Sequence, residues 1–269
     1  MKKLRVLMYN NIGTYPEAAM EDAMSAKAFA RDMDFLATHG YQVVSLDEAM
    51  QRAMERRRLP DRLVALTFDG GYRDLLETVV PALDKHHFPA TFFISPHHIG
   101  GSLTVGGVDI PCMNQDEISR LTEAGHEIGA YALSGRIYQP QNSTMEKQLI
   151  EDIRLAAHTF PSLLARPLRF VSVREGIPGS RVIEALKDAG VEGFFTKCPT
   201  KRRPNRYCMG RIQIDDDDPN IFLIKISRNY LRFKDSRSWR YLRKYKVDRL
   251  AHMISDHVNA RRQKKQAGR

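Results

Sequence analysis

The chain has 269 residues, is 42% hydrophobic and 28% charged, and carries a formal net charge of +10. That composition can fill a sizeable core and excludes a disordered chain, and with no run of about 18 apolar residues it excludes a spanning helix. Three cysteines, Cys112, Cys198 and Cys208, with no C-x-x-C spacing exclude a disulfide framework and a zinc knuckle.

Met1-Lys2-Lys3 looks like the basic start of a signal peptide. The apolar stretch behind it is broken by Arg5 and followed at once by Asn10-Asn11, so no signal segment is expected and the protein is read as cytoplasmic. Apolar, β-rich runs predict strands at Arg5–Tyr9, Leu63–Phe68, Ala90–Ser95, Glu127–Tyr131, Leu168–Val173 and Gly193–Lys197. Helical periodicity falls between them, at Ala26–Thr38, Leu46–Arg57, Asp74–His86, Gln115–Ala124, Met145–His158 and Ser180–Ala189. In the first of these Phe29, Met33 and Leu36 share one face, and Gly125 and Gly190 stand where two of the others should end. Gly100 to Met113 is glycine-rich and predicts a loop lying over one face. Asp215–Asp218 predicts an acidic turn, and Asn220–Phe233 fits strand or helix equally well. Strands and helices in alternation predict an α/β fold, a parallel sheet or barrel.

From Lys225 to Arg269 there are 15 Lys and Arg against 3 Asp and Glu, whereas the rest of the chain has 27 against 29. The basic character therefore belongs to the end of the chain. There Trp239, Leu242, Leu250, Met253 and Ile254 recur at roughly helical spacing among Arg237, Arg240, Arg243, Lys244, Lys246 and Arg249. A basic amphipathic C-terminal helix follows. It either closes the barrel with a solvated outer face or lies on an anionic surface, such as the inner face of a membrane. No interleaved aromatics and no DNA-binding motif accompany it, so nucleic acid is not the expected partner. The expected domains are a barrel over residues 1–235 and this helix and tail over 236–269.

In a parallel barrel the chemistry sits where strands end. The predicted strands end in Tyr9-Asn10-Asn11, Asp69-Gly70-Gly71-Tyr72, Ser95-Pro96-His97-His98, Ala130-Tyr131 and Ser172-Val173-Arg174-Glu175. These five segments should converge on one mouth.

Five strings in order resemble one family: L-M-Y-N-N-I-G near the N-terminus, H-G-Y-Q-V-V-S-L-D-E at His39–Glu48, T-F-D-G-G-Y at Thr67–Tyr72, A-T-F-F-I at Ala90–Ile94, and A-G-H-E-I-G-A-Y at Ala124–Tyr131. The chain is identified as similar to the polysaccharide deacetylases (NodB-homology, carbohydrate esterase 4-like) over roughly residues 1 to 230. The resemblance implies a distorted (β/α)₇ barrel of the NodB-homology type. It also implies zinc-assisted hydrolysis of the C–N bond of an N-acetyl amino sugar, in which one carboxylate and two imidazoles hold the metal and a second carboxylate takes the proton of water.

On this resemblance Asp69 aligns with the proton-accepting residue. Gly70 stands where the metal-binding Asp belongs, Tyr131 where the first metal His belongs, and Gly135 where the second belongs. Asn10 replaces a usual His after the first strand, and Arg174 stands in a shifted position for the family's arginine. No zinc cofactor is therefore expected.

Asp69 is read as a general base or substrate acceptor, against a turn Asp that caps the next helix. Asn10, Tyr72, His97, His98 and Tyr131 are read as lining the substrate pocket. Tyr131 would fill the vacated metal position and donate to Asp69, or simply pack. His97 and His98 are substrate contacts or, less readily because neighbours on a strand face apart, a replacement metal site. The cysteines have no paired base and are not expected as nucleophiles.

Three functions fit. One is a catalytically impaired homologue that binds a carbohydrate or lipid-linked sugar or acts as a regulator. Another is a hydrolase with no metal or an atypical one, with Asp69 as base and Arg174, His97 or His98 as helpers. The last is an interaction module that uses the C-terminal helix.

Overall fold

The structure, a computed structural model, describes residues 4–13, 23–55, 59–197, 205–215, 218–227 and 230. In chain order its strands are β1 Arg5–Tyr9, β2 Asn11–Ile12, β3 Ala23–Met24, β4 Gln42–Val43, β5 Leu63–Gly70, β6 Thr91–Ile94, β7 Ser102–Val105, β8 Val108–Pro111, β9 Glu127–Tyr131, β10 Phe170–Ser172, β11 Gly193–Thr196, β12 Met209–Gly210 and β13 Ile212–Gln213. The helices are α1 Ala26–Thr38, α2 Leu46–Met54, α3 Leu75–Thr78, α4 Val80–Asp84, α5 Gln115–Glu123, α6 Ser143–Leu164, α7 Ser180–Asp188 and α8 Pro219–Ile226.

The main sheet runs β12-β11-β10-β9-β6-β5-β1-β13, and every pairing in it is parallel. Its two ends are one stretch of chain. β12 pairs with β11, β13 pairs with β1, and only Arg211 lies between them. The sheet thus closes on itself through Met209–Gln213, which gives the distorted (β/α) barrel. β5 is buried along its whole length because it lies between neighbours in the wall with packed side chains on both faces.

The two faces of the wall separate cleanly. Tyr9, Phe68 and Phe92 form an aromatic row that meets Phe29 of α1 on the outer face. Val6, Leu63, Ala65, Phe93, Phe170, Phe195 and Met209 fill the inside, together with Leu46, Ala49 and Met50 of α2. Each fully buried side chain of this size stabilises by about 1.5–3 kcal/mol. α1 starts at Ser25, whose hydroxyl accepts from the amide of Ala28 (3.1 Å). α5 starts in a capping box between Asn114 and Glu117.

α2 closes the barrel at the ends where the strands begin. The Glu127 carboxylate, at the start of β9, accepts from the amides of Leu46 (2.8 Å) and Asp47 (3.1 Å) and from the Thr91 hydroxyl (2.7 Å). A carboxylate at a helix N-terminus is favoured by the helix dipole as well as by these bonds. Glu127→Ala is expected to lower unfolding free energy by about 2–3 kcal/mol, to be read from urea denaturation; a loss under about 0.5 kcal/mol would show that this closure is dispensable.

His126 precedes Glu127 with its ring edge-on to Phe92 (5.4 Å), and neither ring nitrogen has a partner among the described residues. Burial pushes its pKa below the ordinary histidine value, with Asp84 opposing weakly. The unfolded chain therefore takes up the proton more readily than the folded one. Stability is full above about pH 6.5 and falls as the pH drops through that value. His126→Leu is expected to flatten the slope of melting temperature against pH between about 7 and 5; an unchanged slope would assign it to other groups.

Some predicted elements differ from what forms. The stretch Gly100–Met113 is no loose loop. β7 and β8 make an antiparallel hairpin, turned by Gly106 and Gly107 at φ +58° and +79°, the left-handed pair that a two-residue hairpin turn requires. The helix expected over Asp74–His86 divides into α3 and α4 at Val79, because Pro81 brings no amide hydrogen to the ladder. α2 stops at Met54, short of Arg57. α6 is longer than Met145–His158 and runs through Pro161 in its last turns.

Residues 1–215 form the barrel unit and residues 216–269 a second unit. In the second, α8 resolves the ambiguous Asn220–Phe233 stretch as helix through Ile226, with Asp218 capping the amide of Asn220 (2.8 Å). The amphipathic helix expected over 236–269 lies outside the described residues. No helix among the described residues is long and apolar enough to cross a membrane.

Candidate functional site

Thr67 and Asp69 of β5 point into the barrel, and the strand carries Asp69 to the mouth. Its partner there is Arg211, at the seam where the closing strand passes from β11 to β1. Arg211 Nη1 donates to Asp69 Oδ1 (2.7 Å) and Nη2 to Oδ2 (2.6 Å), a two-point ion pair between side chains 0% and 1% exposed. The guanidinium also donates to the Thr67 hydroxyl and the Val173 carbonyl (both 3.3 Å) and lies 5.2 Å from the centre of the Phe93 ring. The Ser172 hydroxyl donates to Asp69 Oδ1 (3.3 Å). Burial pushes the Asp69 pKa up, and the Arg211 charge and hydrogen bonds pull it back. The net effect is a raised Asp69 pKa, while the guanidinium that faces both carboxyl oxygens keeps its proton.

Beside it, Gly70 ends β5 at φ +103°, and a Cβ there would lie 2.4 Å from the Tyr72 ring. Tyr72 therefore occupies the space that a side chain at position 70 would need. The hairpin pins this turn: Met113 N donates to the Gly71 carbonyl and Arg73 N to the Pro111 carbonyl (both 2.9 Å), while Tyr72 bridges to Cys112. Tyr131, from the end of β9, is buried, and its hydroxyl lies 3.1 Å from where a Cβ on Gly135 would be. The segment between them turns sharply through Leu133 and Ser134 at φ +59° and +47°. Burial raises both phenol pKa values; the Asp69 charge adds to this and Arg174 opposes it. Both tyrosines are thus neutral, and both lie within electrostatic reach of Asp69 and Arg174.

Asp69, Tyr72, Tyr131 and Arg174 come together at the mouth as expected of them, and Asn10 follows β1 at the same end, half-buried. Of the two alternatives for Tyr131, a bond to Asp69 does not form: the donors to Asp69 are Arg211 and Ser172. Arg174 lies two residues past Ser172 on the rim.

His97 and His98 form a short 3-10 turn after β6. His97 Nε2 bonds Asp152 Oδ1 of α6 (3.0 Å), and Asp152 Oδ2 accepts from the amide of Leu133 (2.6 Å). His98 Nδ1 bonds the Ser95 hydroxyl (2.8 Å). Each ring thus braces the rim. Burial pushes the Cys112 thiol up to about 11, so this cysteine is no nucleophile at neutral pH.

Two residues of the site carry no local signal. Arg211 stands 142 positions after Asp69, in a short polar-flanked stretch. Gln213 shares its inward face, since alternate residues of a strand point the same way. Gln213 is 7% exposed, and neither its amide oxygen nor its nitrogen has a partner among the described residues.

The donors at this mouth do not fit a zinc ion. Gly70 and Gly135 offer none, Tyr131 is a neutral phenol, and both oxygens of Asp69 are engaged by Arg211. Among the described residues no three His, Cys, Asp or Glu side chains are grouped so as to hold a metal.

Comparison with known proteins places this geometry. Residues 56–194 match the family model described as polysaccharide deacetylase. YxkH of Bacillus subtilis is 24% identical over 214 residues, which span 79% of this chain and 71% of that protein. The poly-β-1,6-N-acetyl-D-glucosamine N-deacetylase of Staphylococcus epidermidis is 22% identical over 204 residues, 72% of this chain and 69% of that one. Among solved structures, IcaB from Ammonifex degensii superposes with a TM-score of 0.69 at 22% identity, covering 83% of this chain and 95% of that one.

Proposed function

This chain belongs to the polysaccharide deacetylase family, and we propose that it binds carbohydrate at its barrel mouth without performing the family's zinc-assisted deacetylation. The observation that carries this reading is the closed Asp69–Arg211 pair. A proton-accepting carboxylate needs a free oxygen facing water or substrate, and here both oxygens are held by one guanidinium inside the wall. The space beside it is filled by Tyr72 and Tyr131 rather than by imidazoles or a second carboxylate. Asp69 then serves as the anion that anchors the seam of the barrel. The rim keeps half-buried polar side chains, Asn10 and Arg174 among them, of the kind with which sugars are held. That relatives act on an N-acetylglucosamine polymer supports a saccharide as ligand.

The test is acetate release from N-acetylglucosamine oligomers, measured with and without added Zn²⁺, alongside binding of the same oligomers by calorimetry. The expected result is no release above the uncatalysed rate under either condition, with measurable saccharide binding. Chelator-sensitive release would overturn the reading. Release insensitive to chelator and lost in Asp69→Asn would replace it with a metal-free hydrolase.

A further inference from the structure

The strand that closes the barrel brings two polar side chains inside. Arg211 and Gln213 stand two residues apart on it and so face the same way, and Arg211 points inward to Asp69. Gln213 pairs in register with Met8 of β1, and Met8 with Thr67 of β5, whose hydroxyl accepts from Arg211. Gln213 therefore lies at the level of Thr67, one inward position below Asp69. It is more than nine-tenths buried, and neither polar atom of its amide has a partner among the described residues. The Nε of the fully buried Arg211 has none either.

A methionine, such as stands beside it at Met8, would fill the place of Gln213 with no polar atom to satisfy. A buried amide without partners lowers stability, and a molecule that supplies the missing bonds recovers what was lost. The unpaired set is one carbonyl oxygen, the two hydrogens of the amide nitrogen and the Nε hydrogen of Arg211. Around it are the buried Met8 and the Phe93 ring, 5.2 Å from the guanidinium. An acceptor and donors set among apolar side chains fit a neutral amide with a small apolar end. The acetamido group of an amino sugar is one: its carbonyl accepts, its N–H donates and its methyl packs. A pair of hydroxyls would use the same bonds but offer nothing to the apolar side chains. An ion would have to be stripped of water to reach this depth.

We infer that Gln213 is the residue by which the mouth recognises an acetamido group, so that the barrel reads the acetylation of a saccharide it does not hydrolyse. Both polar atoms of Gln213 are shielded from solvent, so the group reaches them as a covering side chain turns aside. This inference rests on the carbohydrate-binding reading and adds the group recognised and the residue that recognises it. A site built to hydrogen-bond one group rejects an analogue that lacks it, because its own buried polar atoms are then left unpaired.

The experiment titrates the full chain by calorimetry with a trimer of β-1,6-linked N-acetylglucosamine, with the same trimer after complete removal of its acetyl groups, and with the β-1,6-linked glucose trimer, which carries a hydroxyl in place of each acetamido group. The acetylated trimer is expected to bind at least about tenfold more tightly than either of the others. Gln213→Met should bring its affinity down to that of the glucose trimer and leave the glucose trimer unchanged. The melting temperature of this variant should equal or exceed that of the parent, because the unpaired amide is gone. Gln213→Asn, which keeps an amide one carbon shorter, should lose part of the preference.

A ratio of affinities between two ligands is not moved by a purely structural role. Equal binding of the acetylated and glucose trimers by the parent would overturn the inference and leave a carbohydrate-binding barrel standing. Tightest binding of the deacetylated trimer would overturn it as well, and would assign the preference to carboxylates that follow the strands at this mouth, Asp74, Glu175 and Asp215. A preference that persists undiminished in folded Gln213→Met, or in folded Gln213→Asn should the first variant not fold, would place the recognition elsewhere. Binding of none of the three would remove the carbohydrate-binding reading together with the inference.

Discussion

Arg211→Met is expected to lose about 3–5 kcal/mol of unfolding free energy, the largest loss from any single side-chain truncation in the barrel. The methionine fills much of the same volume and keeps contact with Phe93, so the loss is electrostatic. It strands the Asp69 carboxylate in the wall with only the weak Ser172 bond. Asp69→Leu should be comparably damaging, because it strands the guanidinium instead. The double variant Asp69→Leu, Arg211→Met should recover most of the loss. A buried pair replaced as a unit by apolar groups is often neutral or stabilising, whereas one partner removed alone is not. Chemical denaturation of the four proteins gives the coupling directly. A single variant within about 1 kcal/mol of the parent would mean that water reaches the pair. Asp69 would then be available to a substrate, and the case for an anchoring role would fall.

Much of the barrel could be read from the chain because the wall is built by local rules. Arg5–Tyr9, Glu127–Tyr131 and Ala26–Thr38 form with the expected boundaries. Each is an apolar run or stripe with clear stops on both sides. The hairpin was legible in principle. Ser102–Val105 and Val108–Pro111 each alternate buried and exposed residues around a Gly-Gly pair, and that pair is a hairpin signal when so flanked. Counting glycines instead of reading the alternation makes it look like a loop.

The motif strings located Asp69, Tyr72 and Tyr131 together, since each sits at the end of a strand whose order in the wall the fold dictates. Arg211 and Gln213 were beyond such reading. Their role comes from barrel closure, and a five-residue strand among Lys, Arg, Pro and Asp has no periodicity to betray it. The partner of Asp69 is set by which strand reaches the gap between β11 and β1, a fact of topology rather than of neighbourhood in sequence.

Placing Asp, His and His at residues 70, 131 and 135, the positions to which the resemblance in sequence assigns the family's metal ligands, is expected to fail, and the reason is steric as well as chemical. Gly70→Asp should destabilise by about 3 kcal/mol or more. At φ +103° a side-chain-bearing residue is strained, and its Cβ would lie 2.4 Å from the Tyr72 ring, which the hairpin holds from Met113 to Arg73. Gly135 is less crowded, since the atom nearest to a new Cβ is the Tyr131 hydroxyl at 3.1 Å, and Tyr131→His would withdraw it. The triple variant Gly70→Asp, Tyr131→His, Gly135→His should therefore melt well below the parent and retain no zinc after desalting. Adding Tyr72→Ala removes the ring from the space of residue 70. That fourth change should raise the melting temperature above that of the triple variant and allow zinc to be retained, read by elemental analysis and by a zinc-dependent rise in melting temperature. If the triple variant alone folds and holds one zinc, Tyr72 does not occupy the metal's surroundings. If the fourth change brings neither stability nor zinc, the Arg211 charge beside Asp69 is what excludes the cation, and Arg211→Met in the same background becomes the deciding variant.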